Sequence, residues 1–176
     1  MLLCAPSFCK AQDSPNCESI KYDSVMHVEN ATQKQLYERA RLWFANTFKD
    51  AKEVIQISDA EKGELVGKGA FSYSSKVFVG SAGTLGTINF TAKIYVKEGR
   101  YKYEFNDFHH EGSGVHRTDM GIVSPDCCPD PNKGMKGWQR KVLRDCKEQT
   151  ERHMETVIST LIAAMNKPTE GQKDNW

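Results

Sequence analysis

Ile88-Asn89-Phe90-Thr91-Ala92-Lys93-Ile94-Tyr95-Val96-Lys97-Glu98-Gly99-Arg100-Tyr101-Lys102-Tyr103-Glu104-Phe105 is the stretch that decides the fold. Ile88, Phe90, Ala92, Ile94 and Val96 alternate with polar or smaller side chains, the period-2 pattern of a strand buried on one face. Glu98-Gly99 then suits a two-residue hairpin turn, although Asn or Asp before the glycine would be stronger. That turn sets one register: Val96 opposite Tyr101, Ile94 opposite Tyr103, Ala92 opposite Phe105. The other face then pairs Lys93 with Glu104, a favourable cross-strand charge pair. One register satisfies both faces, so the hairpin is specified twice.

Upstream, Leu65, Gly67, Gly69, Phe71 and Tyr73 also alternate, which predicts another strand. Glycines inside a strand mark bending or a close backbone approach. Glu53 to Ser58 reads as a short strand before it, joined through Asp59-Ala60-Glu61-Lys62-Gly63, a turn with glycine free to take positive φ. Before that the period is helical. Leu36, Ala40, Trp43, Phe44 and Phe48 recur at steps of three to four and form one apolar face. Trp43 and Phe44 are expected as core anchors. Asn30 with Gln33 has the spacing of an N-cap and capping box. Ile20 to Val28 alternates loosely and predicts a first strand.

Downstream, 111–135 has no regular pattern. A connection of that length is long for a compact domain and is expected to be functional or flexible. From about Lys136 to Asn166 a second helical stripe runs through Trp138, Val142, Cys146, Met154, Val157, Ile158, Leu161 and Met165, broken around Thr150. At 1.5 Å per residue it spans about 45 Å, enough to cross a sheet. Pro168 ends it.

The order strand, helix, four strands, helix resembles a family of exported bacterial proteins of unknown function with a TATA-binding-protein-like (TBP-like) fold. The resemblance covers roughly residues 20–110. It rests on Leu36-Tyr37-Glu38-Arg39-Ala40-Arg41-Leu42-Trp43-Phe44, Val54-Ile55-Gln56, Val66-Gly67-Lys68-Gly69, and Tyr101-Lys102-Tyr103 leading to Asp107-Phe108. It implies an α+β, TBP-like β-α-β4-α fold, with a curved antiparallel sheet packed against a long C-terminal helix. It implies no activity.

Composition agrees with a folded domain. Hydrophobic residues make up 39% and charged residues 27% of 176, unlike a disordered chain. The 24 basic and 23 acidic side chains nearly cancel, so the basic excess of a nucleic-acid binder is missing. No nucleic-acid partner is expected, although minor-groove binders of this shape exist. No apolar run reaches the ~18 residues of a membrane span.

The start reads as processing. Residues 1–8 are mostly apolar, and Cys9-Lys10-Ala11 puts small residues where a signal cut after Ala11 needs them. The basic stretch that opens most signals is missing. The expected organisation is a signal remnant over 1–11, a polar leader over 12–20, a single α+β domain over 21–167 and a polar tail over 168–176. Export is the expected address, whether periplasmic, outer-envelope or secreted.

Two constellations could carry chemistry. Asp107, His109, His110, Glu111, His116 and Asp119 are the densest set of metal-ligating residue types. Their spacing matches no established ligand motif, and neighbouring His109 and His110 point to opposite faces of a strand. The competing reading is a metal-dependent hydrolase using His109, His110, Glu111 and His116, with His110 and His116 across the turn, beside Glu111, as the expected ligands of any metal. Cys17, Cys127, Cys128 and Cys146 form the other set. In an exported protein they suit disulfides, with three possible connectivities, and Cys146 bonded to Cys127 or Cys128 would pin the long loop. No CxxC spacing lowers a thiol pKa. Gly67-x-Gly69 and Ser81 to Gly86 do not open a helix and are not phosphate loops. The leading expectation is a module without catalytic residues or a cofactor. It would bind an unknown protein or small ligand, with the groove between sheet and long helix as the expected place. A structural envelope component is the remaining reading.

Overall fold

The computed structural model describes residues 20–48, 54–77, 85–114, 117–124 and 136–167. The elements are β1 (Tyr22–His27), α1 (Gln33–Thr47), β2 (Ile55–Asp59), β3 (Glu64–Tyr73), β4 (Gly86–Lys97), β5 (Arg100–Gly112), β6 (Gly121–Ile122) and α2 (Gly137–Met165). The six strands form one sheet in the order β1-β5-β4-β3-β2, with β6 added on β5. Contacts gather the chain into two units. One is built on Tyr22–Gly69, Thr91–Phe105 and the end of the chain from His153, and contains α1. The other is built on Ala70–Phe90 and Asn106–Arg152, and contains β6.

In the α1 unit, β1 lies antiparallel to β5, with Tyr22 opposite Phe105 and His27 opposite Arg100. The β4–β5 hairpin turns through Glu98 and Gly99, with Gly99 at φ +68°. Val96, Ile94, Ala92, Tyr101, Tyr103 and Phe105 are buried together, and Lys93 Nζ lies 3.6 Å from Glu104. Both faces of the expected register are therefore present. The turn's Glu98 has a job that Asn could not do. Its carboxylate accepts the Gln33 N–H at 2.9 Å, placing negative charge at the α1 N-terminus, whose first turn carries no acid of its own.

The helix start differs from expectation. Thr32, not Asn30, is the N-cap, and its capping box closes with Gln35, not Gln33. Asn30 instead takes the left-handed conformation at φ 59°, which asparagine tolerates better than most residues. Trp43, Phe44 and Leu36 are buried core anchors. Trp43 packs edge-on against Phe44 and Phe105, and its Nε1 donates to Thr160 on α2 at 3.1 Å. The Arg39 guanidinium donates to the Met165 carbonyl at the end of α2. Gly67 is glycine for a packing reason: a Cβ there would sit 2.8 Å from the Phe44 ring.

In the β6 unit, the stretch expected to be an irregular loop begins as sheet. Glu111 and Gly112 extend β5, and β6 pairs back on it, His109 opposite Ile122 and His110 opposite Gly121. The burial phase of β5 also shifts. Tyr101, Tyr103 and Phe105 are buried, then Phe108 and His110. Asp107 between them sits at φ 57°, and this one left-handed residue moves the alternation by one position, as a bulge does. Phe108 then stacks on Phe90 at 5.3 Å.

Candidate functional site

The side chains expected to ligate a metal are dispersed. His110 is fully buried. Its ring packs edge-on to Tyr73 at 5.0 Å, and its Nδ1 accepts the Met120 N–H at 3.3 Å. His109 is on the other face, with Nε2 3.1 Å from Glu111. Asp119 Oδ1 accepts the Gly112 N–H. His116 lies outside the described residues. Among the described residues, no group of three or more His, Cys, Asp and Glu side chains could hold a metal ion. Gly86 accounts for part of this packing, because a Cβ there would collide with Glu111 and come within 2.8 Å of the His110 ring.

A buried polar cluster forms instead where β3 ends against α2. Asp145 Oδ2 accepts three hydrogen bonds: Tyr73 OH at 2.8 Å, Lys76 N–H at 2.9 Å and Gln149 Nε2 at 3.0 Å. Gln149 also donates to the Ser74 carbonyl. The carboxylate thus clasps the chain leaving β3 onto the helix. Burial raises the Tyr73 phenol well above its ordinary value. Cys146, next along α2, is fully buried and has no disulfide partner among the described residues. Burial pushes it up to about 12, so it is no thiolate nucleophile near neutral pH. Cys17, Cys127 and Cys128 lie outside the described residues. Thr150, where the stripe broke, is buried and returns its hydroxyl to the Cys146 carbonyl. These groups satisfy one another, and the geometry is that of a structural clasp.

The apolar stripe of α2 is core. Val142, Leu143, Cys146, Met154, Leu161 and Met165 are all fully buried. Two open concavities lie in the α1 unit among the described residues: one of about 500 Å³ beside α1, where Lys34 and Arg41 are mixed with Glu38 and Glu61, and one on the outer sheet face. The latter is a groove of about 470 Å³ lined by Val25, Tyr95, Lys97, Arg100, Tyr101 and Lys102. Val25 is 53% exposed. Antiparallel pairing sets Val25 beside Lys102 and His27 beside Arg100, and the two-residue turn sets Lys97 beside Arg100. Sequence reading missed this site because the β1 register is long-range. The turn alone held the Lys97–Arg100 half of it.

Comparison with known proteins bears on the fold. The family model described as "Domain of unknown function (DUF4468) with TBP-like fold" matches residues 22–111, just over half the chain. A solved TBP-like protein from Parabacteroides distasonis has a TM-score of 0.54 at 11% identity, covering 81% of this chain and 92% of that one. A solved DUF4468 family protein from Bacteroides ovatus has a TM-score of 0.54 at 15% identity, covering 94% and 95%. No curated protein matches. The strand and helix order, the alternating β4–β5 hairpin and the family match agree, and the chain belongs to the DUF4468 family of TBP-like fold.

Proposed function

We propose that this chain is an exported binding module without catalytic chemistry, and that its ligand surface is the groove on the outer sheet face of the α1 unit. One observation carries the reading: the groove sets Val25 and Tyr95 beside Lys97, Arg100 and Lys102 with no acid in its lining, whereas the similar concavity beside α1 mixes Lys34 and Arg41 with Glu38 and Glu61. At about 470 Å³ the groove falls within the roughly 300–1,000 Å³ of small-molecule sites. The residue types that could do chemistry are buried in the clasp or split across two faces of β5. No helix among the described residues is long and apolar enough to cross a membrane. The apolar start followed by Cys9-Lys10-Ala11 supports export.

A fragment screen by amide chemical shift tests the surface. Hits should gather at Val25, Tyr95 and Lys102. Hits gathering elsewhere, or turnover of ester or phosphate substrates by purified protein, overturn the reading. Export is tested by intact mass: protein from the envelope fraction should begin at Gln12, and uncut protein confined to the cytosol overturns that half.

A further inference from the structure

The outer sheet face of the α1 unit changes character along its strands. In one row Asp23 on β1 stands beside Glu104 on β5, and Glu104 takes Lys93 at 3.6 Å and Lys102 at 3.3 Å. Charge there is matched. Two residues along, the row is Val25, Lys102 and Tyr95. Two further, it is His27, Arg100 and Lys97, with no acid in it. Among the described residues, neither Lys97 nor Arg100 has an ion-pair partner. The acid between them in the turn, Glu98, accepts the Gln33 N–H of α1.

Lys97 and Arg100 face each other across the hairpin, and like charges in opposed positions cost stability. Protection of a sheet edge does not explain them. Edge strands carry lysine to block pairing, but β5 and β4 are second and third in the order β1-β5-β4-β3-β2. The repulsion therefore has no structural return within the described residues. It has a chemical one if an anion lies between the two cations. Arginine offers a planar fork for an oxyanion, and lysine a mobile point charge.

We propose that this groove binds a small molecule bearing an oxyanion on a flat, apolar body. The carboxylate or phosphate sits against Arg100 and Lys97, and the body lies along Tyr95 and Val25, with Lys102 at its side. This deepens the proposed function and rests on it.

The test titrates the full chain with phenyl phosphate, benzoate and neutral benzyl alcohol, following amide shifts. Saturable shifts from either anion at Val25 and Tyr95 to Lys102 are expected. They should weaken about tenfold in Lys97→Gln/Arg100→Gln, the loss of a charge-assisted contact, and also as salt is raised. That variant relieves repulsion, so it should unfold at the same or higher denaturant than the wild type. Equal affinity for phenyl phosphate in wild type and variant overturns the proposal. So does benzyl alcohol binding as tightly as the anions, a result that leaves the groove standing as a binding surface. No probe shifting these amides overturns both the proposal and the surface reading.

Discussion

The two units treat their polar side chains in opposite ways. In the β6 unit, Asp145 is buried and its Oδ2 accepts from Tyr73, Lys76 and Gln149, so that oxygen is committed to the fold. In the α1 unit, Lys97 and Arg100 are exposed, opposed and, among the described residues, without an ion-pair partner. Buried polar groups are costly unless satisfied, which makes the first arrangement a stabilising one. The second spends stability, which is the ordinary mark of a surface kept for something else. Polar convergence at Asp145 is thus explained by stability alone, and the opposed charges at Lys97 and Arg100 are what the proposed anion site rests on.

The contrast can be broken by mutation. Asp145→Ala removes one acceptor from three donors and should cost about 3 kcal/mol in urea unfolding; a loss under about 1 kcal/mol would mean the clasp is not structural. Tyr73→Phe should cost about 1 kcal/mol. Its counterpart is Tyr101→Phe. The Tyr101 hydroxyl is buried without a hydrogen-bond partner among the described residues, so removing it should stabilise by up to about 1 kcal/mol. Equal effects at the two tyrosines would erase the distinction drawn from their partners. Lys97→Glu converts the opposed like charges into an opposite pair and should gain about 0.5 kcal/mol, read from the same denaturant curves.

The smallest effect concerns pH. Burial lowers the His153 imidazole below its ordinary 6.5. Between that lowered value and 6.5 the unfolded chain binds the proton more readily. This contribution is therefore complete above 6.5 and is lost as pH falls toward the folded value. Urea midpoints should decline over that range in the wild type and decline less in His153→Gln.

Much of the fold was legible. The β4–β5 hairpin was readable because a two-residue turn makes its register local, and α2 because its stripe runs eight turns. The spacing points to Asn30 as the cap instead of Thr32, since both sit within three residues of the helix start and either side chain can cap. The 111–135 stretch hid β6 because a two-residue strand has no period to detect. The Asp145 clasp left only a faint trace, an acid and a glutamine at i and i+4 beside the apolar stripe.

The sequence by itself determined the alternation, the hairpin register, the Lys93–Glu104 pair and the helical stripes, all of which are set by neighbours along the chain. Tertiary structure alone decided three things. It placed β1 beside β5, which put His27 and Val25 next to Arg100 and Lys102. It drew Glu98 away to cap α1, which left Lys97 and Arg100 uncompensated. It turned Asp107 left-handed, which sent His110 into the core and His109 to the other face. Each depends on contacts between residues far apart in the chain, where no local period or spacing carries the information.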